Sequence, residues 1–192
     1  MKTGRIEAFS DGVLAIVITI MVLELKVPHG GDLHALRPML PVFLSYVLSF
    51  IYVGIYWNNH HHLFHATQQI GGGVLWANLL LLFCLSLIPV VTAWVGDNPG
   101  EPWPAALYGV VLLMSALAWV VLERAIIAHE GARSELARAV GRGLKEKLSP
   151  AGYLVGIPAA FIHPWIALVL YAGVALVWFI PDRRIERGLR AR

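Results

Sequence analysis

Two groups of side chains in this sequence have the types and spacing to do chemistry. The first is Arg5, Glu7, Ser10 and Asp11, which stand at the head of an otherwise apolar run from Ile6 to Leu25. The second is Asn58-Asn59-His60-His61-His62-Leu63-Phe64-His65. There Asn58 with His62, and His61 with His65, lie four apart and so share a helix face. Two imidazoles so placed could hold zinc. A carboxylate beside a run of imidazoles could instead relay protons. The third role is structural: a carboxylate taken out of water needs donors, and an imidazole, the Trp57 indole N–H or an asparagine amide would serve. The cluster has no carboxylate and no cysteine close by and no His-Glu-x-x-His pattern, which weakens the metal reading. A network holding the first helix in register is the preferred reading over a relay, and which histidine partners which group stays open.

The elements that must position these groups are membrane helices. Of the 192 residues, 58% are hydrophobic and 14% charged, with mean hydropathy +0.68. That is too much apolar surface for a soluble domain of this size. The formal charge of +3 could suggest a nucleic-acid partner. Its Lys and Arg residues cluster at span ends, however, which topology explains without nucleic acid. Six spans are predicted within one domain covering residues 1–192, over about 4–26, 40–64, 74–95, 104–127, 149–162 and 164–180. The first is expected to be retained rather than cleaved, having no small-x-small site before Pro28. Of the 15 Lys and Arg, only Lys26 and Arg37 fall in external segments. Both termini are therefore expected on the cytoplasmic side of a cell membrane.

Between the fourth and fifth spans, residues 129–147 form a cytoplasmic linker with Leu136, Val140, Leu144 and Leu148 four apart among arginines and lysines. It reads either as a basic amphipathic helix on the inner leaflet or as an ordinary connection. Pro89 and Pro158 are expected kinks, and Gly54, Gly109, Gly156 and Gly173 expected close-packing sites. Cys84 is the single cysteine, so no disulfide framework is possible.

Helical phase divides the first span. Phe9, Gly12, Ile16, Ile20 and Leu23 fall on one stripe with Thr19 at its edge. Ser10 and Asp11 point elsewhere and are expected to be buried against neighbouring helices. Plain helix packing would also explain such a stripe.

The motif Arg5-x-x-x-Phe9-Ser10-Asp11 at the head of a first membrane helix resembles the signature of the transmembrane protein 175 family of potassium channels. The likeness is strongest over residues 5–27 and continues through Tyr56-Trp57-Asn58-Asn59-His60-His61. It implies an all-α, six-span subunit of a homotetramer, with helix 1 of every copy surrounding a central pore. Large apolar residues at the fifth, ninth and twelfth positions after the motif aspartate constrict the pore in that family, which here means Ile16, Ile20 and Leu23. A threonine linked to potassium preference corresponds to Thr19. Arg5, Phe9, Ser10 and Asp11, together with Trp57 and His61, would form a packing network at the inner side.

The implied partners are further copies of the chain, the lipid bilayer and potassium ions, with K+ as permeant ion and no cofactor. A Thr-Val-Gly-Tyr-Gly filter sequence is absent, so the expected barrier is a hydrophobic constriction that wets and dewets, with modest selectivity over sodium. The competing expectations are a proton channel or proton-coupled transporter using Asp11 and the helix-2 histidines, and a membrane-embedded enzyme that would need a metal.

Overall fold

A computed structural model describes residues 3–67, 70–131 and 144–179, with side chains of 144–147 and 179 excepted. Its regular structure is helical. Helix α1 spans Gly4–Leu23, and a 3₁₀ segment, Leu33–Met39, leads into α2, Leu40–His65. Then come α3, Gly72–Ser86, and α4, Ile88–Asp97. Helix α5 covers Pro102–Glu130, α6 Leu144–Ile162 and α7 Pro164–Phe179.

Helices α3 and α4 are one column broken at Leu87. Pro89 has no N–H to give to Leu85 and its ring crowds that carbonyl, so the ladder restarts with the proline in the first turn of α4. Pro158 does not interrupt α6. Four apolar segments are long enough to cross a bilayer: Gly4–Leu23, Leu33–His65, Gly72–Asp97 and Pro102–Glu130. The apolar helices Leu148–Ile162 and Pro164–Trp178 are shorter and form a hairpin turning at His163. The six columns follow the predicted order, with shifted ends. The first stops at Leu23 rather than 26, and the fourth runs on through His129 and Glu130. That second extension takes the first residues of the expected linker into α5, while 132–143 and the tail from 180 lie outside the described residues.

The packing is uneven. Helix α5 lies against α3, α4, α6 and α7, α6 pairs with α7, and α2 packs on α4. Their shared core holds Tyr52, Tyr108 and Tyr171 with Leu81, Leu85, Leu112 and Leu122, all fully buried. Tyr171 lies in a slot where α5 and α6 each offer a glycine, Gly109 and Gly156; a side chain at either would overlap its ring. Backbone approach of this kind replaces the hydrophobic drive that lipid removes. Gly54 and Gly173, also expected as close-packing sites, face open space. Helix α1 packs on α2, α3 and α4 from one side only.

Candidate functional site

The two faces of α1 divide cleanly. Ile6, Ser10, Leu14, Val17 and Met21 are buried, at spacings of four, four, three and four that keep them on one side. Across the helix, Ile16 is 59%, Ile20 44% and Leu23 80% exposed, and Phe9, Gly12 and Thr19 are exposed with them. The subunit thus leaves uncovered the stripe that helical phase marked out. The Thr19 hydroxyl donates to the Ile16 carbonyl at 2.9 Å. That bond uses its proton and leaves the oxygen lone pairs toward the uncovered face.

Beneath this stripe, at the end of α1 near its N-terminus, a polar layer ties three helices. The Asn78 amide Nδ2 donates to Ser10 Oγ at 3.0 Å, and its Oδ1 meets His60 Nε2 at 2.8 Å. An amide oxygen can only accept, so His60 carries its proton on Nε2. All three residues are buried, and the His60 ring packs on Phe64 with centroids 4.6 Å apart. Beside this chain, Trp57 Nε1 donates to Asp11 Oδ1 at 3.0 Å in an exposed position.

Two expectations need correction. Asp11 is exposed on the subunit surface rather than buried; its neighbour Ser10 turns inward. His61 does not join the layer: its ring is exposed and stacks edge-on with His62 and His65, at centroid distances of 5.6 and 5.2 Å, while His60 reaches Asn78. Both errors have one cause. Adjacent residues on a helix diverge by about 100°, so a polar pair cannot both face the same neighbour. Arg5 and Phe9 are exposed, apart from the hydrogen-bonded chain. Among the described residues no group of three or more His, Cys, Asp or Glu could hold a metal ion.

Sequence reasoning passed over Asn78, a lone amide inside the apolar third span, whose presence there was itself the signal. It also missed a second buried cluster, where Ser49 Oγ lies 2.6 Å from Thr92 Oγ1 and 2.9 Å from the Tyr108 hydroxyl, joining α2, α4 and α5. The Tyr52 hydroxyl donates to the Tyr171 carbonyl at 2.6 Å and so joins α2 to α7. Glu123, a carboxylate buried on α5, accepts from the Trp119 indole at 2.6 Å.

Known proteins are similar to this chain in sequence and in fold. The family model described as "Endosomal/lysosomal potassium channel TMEM175" matches residues 5–89, which hold α1, α2 and Asn78. A potassium channel of Chryseobacterium sp. (strain P1-3) is 55% identical over 190 residues, 99% of each chain. One of Streptomyces collinus is 32% identical, covering 92% of this chain and 91% of its own. The crystal structure of a "lysosomal potassium-selective channel TMEM175 homolog" from Chamaesiphon minutus superposes with a TM-score of 0.78 at 30% identity. It covers 93% of this chain and 96% of that one. These relatives are channels, and the enzyme reading falls. With the motif on α1 and near full-length similarity in agreement, the chain belongs to the TMEM175 family.

Proposed function

We propose that this chain is the subunit of a potassium channel, a homotetramer in the cell membrane with both termini cytoplasmic, whose pore is lined by α1 and constricted by Ile16, Ile20 and Leu23. The observation that carries the reading is the uncovered apolar stripe of α1, set against a rear face fixed by Ser10, Leu14, Val17 and Met21. One subunit supplies one such helix, so enclosing a pore requires cyclic symmetry. Four copies follow from the resemblance. The potassium channel names of the bacterial relatives support K+ as the permeant ion.

Isoleucine and leucine side chains offer an ion no oxygen ligands, so water must wet the gap before conduction. Thr19 sits one turn outward from Ile16 and contributes hydroxyl oxygens where an ion re-acquires its hydration, which biases selection toward K+ without a carbonyl filter. Asp11 and Trp57 set the inner rim of α1.

Bi-ionic recordings in planar bilayers test this. Ile16→Asn places hydrogen-bonding groups at the constriction, so conductance should rise several-fold and discrimination among cations weaken. Thr19→Ala should lower potassium preference over sodium with conductance largely kept. Unchanged conductance and reversal potential in both variants, with channels active, would remove α1 from the pore. Currents that follow the proton gradient instead of the potassium gradient would overturn the ion assignment.

A further inference from the structure

At the end of the bundle that carries the α1–α2 and α6–α7 turns, α2 and α7 part to leave a groove of about 240 Å³. Its walls are Pro41, Leu44 and Leu48 of α2 and Trp165, Val169 and Ala172 of α7, with Tyr108 of α5 at the floor. The two hydroxyls that reach it are already engaged. Ser45 donates to the Val42 carbonyl at 2.8 Å, and Tyr108 bonds Ser49. Ordered water needs two to four polar partners, which this groove does not offer. An apolar occupant fits it.

We propose that the groove holds one acyl chain of a phospholipid, whose phosphodiester is met by Arg37. The lips of the groove are open: Leu44 is 57% and Val169 69% exposed. Arg37 is exposed in the 3₁₀ segment that leads into α2, four residues before Pro41 of the groove wall. With Lys26 it is one of the two Lys and Arg residues expected on this side, so a cation precedes the α2 wall of the apolar slot. Trp165 at the start of α7 marks the same interfacial depth. A second copy is the other possible cover. Helix α7 packs on α2, α5 and α6, whereas the face proposed for the pore belongs to α1. With α1 at the axis of a ring, we take the α2–α7 groove to face lipid, a step that rests on the proposed pore.

Native mass spectrometry of the full-length protein, purified in mild detergent and titrated with phosphatidylglycerol, tests the assignment without reference to current. One lipid per subunit should survive delipidation. Ala172→Trp fills the groove and should remove it, while Leu154→Trp, on an exposed face of α6, should not. Arg37→Gln should weaken phosphatidylglycerol about fivefold and leave diacylglycerol with the same chains unaffected.

Phosphatidylglycerol bearing a photoreactive group on its acyl chain, applied to the unmodified protein, should form adducts on α2 and α7 within the groove. That arm stands even if Ala172→Trp does not fold. Adducts confined elsewhere, or lipid retained by a folded Ala172→Trp protein, would overturn the proposal. Dissociation of Ala172→Trp into monomers, with no lipid on the wild type, would assign the groove to a second copy. Equal occupancy by detergent alone, insensitive to Arg37, would make the occupant an adventitious additive only.

Discussion

Among the described residues, two buried clusters each join three helices through side-chain hydrogen bonds, and they differ in what they hold. Ser10, Asn78 and His60 join α1, α3 and α2. Ser49, Thr92 and Tyr108 join α2, α4 and α5, and no residue of α1 takes part. Helix α1 is therefore tied by directional contacts at its N-terminal end and continues past Leu14, Val17 and Met21 on apolar packing alone. In a bilayer such packing competes with lipid tails of equal apolarity, so hydrogen bonds and close fit set register. Burial separates the first two spans from the next two: 28% of the α1 span and 22% of the Leu33–His65 span are buried, against 56% of the Gly72–Asp97 and Pro102–Glu130 spans. One cluster assembles a rigid scaffold; the other hangs a single helix on it by one end.

The sharpest way to break this contrast is at Asn78. Asn78→Leu leaves the His60 N–H and the Ser10 hydroxyl without their buried partner, at about 1–3 kcal/mol each. Retention of the oligomer on heating in detergent, followed by size-exclusion chromatography, should fall more for this substitution than for any in the second cluster. His60→Phe on that background should recover part of the loss, since it removes one of the stranded groups. If Asn78→Leu behaves as wild type, the layer does not hold α1.

Ser49→Ala is the matched test in the scaffold. Thr92 keeps its bond to the Ile88 carbonyl at 2.6 Å, so Tyr108 alone is stranded. A cost of about 1–3 kcal/mol follows, less than at Asn78 because one group rather than two is affected. Single-channel conductance and reversal potential should be unchanged, because no α1 residue shares the hydrogen bonds of this cluster. A shift in selectivity would show that the two regions are coupled.

The smallest effect is expected at Tyr171. Among the described residues its hydroxyl is buried without a hydrogen-bond partner, while its ring fills the Gly109–Gly156 slot. Tyr171→Phe keeps the ring and removes the unpaired group, so thermal stability should hold or rise by up to about 1 kcal/mol. A clear loss would mean that the hydroxyl has a partner in the membrane, and would make the scaffold cluster larger than Ser49, Thr92 and Tyr108.

Much of this protein was legible in its sequence because a bilayer enforces simple rules. Backbone groups in hydrocarbon must pair within the segment, so apolar length alone gives helices, and the six-column order followed. Phase along α1 separated Ile16, Ile20 and Leu23 from Ser10, because 3.6 residues per turn is a property of one helix and needs no neighbours. The arginine-to-aspartate motif gave the family for the same reason: it is local. Partner choice between helices was not local. Whether His60 or His61 faces α3 depends on a rotation of about 100° that α2 adopts when Phe64 and Val53 are buried. Only that packing brings Asn78, 18 residues away in sequence, within 2.8 Å of His60. The same rotation on α1 turns Ser10 inward and leaves Asp11 exposed to Trp57. The sequence thus determined which segments form apolar helices and which face of α1 is apolar; the tertiary structure decided which polar side chains meet, because hydrogen bonds are short and directional while helical phase is known only to the nearest residue.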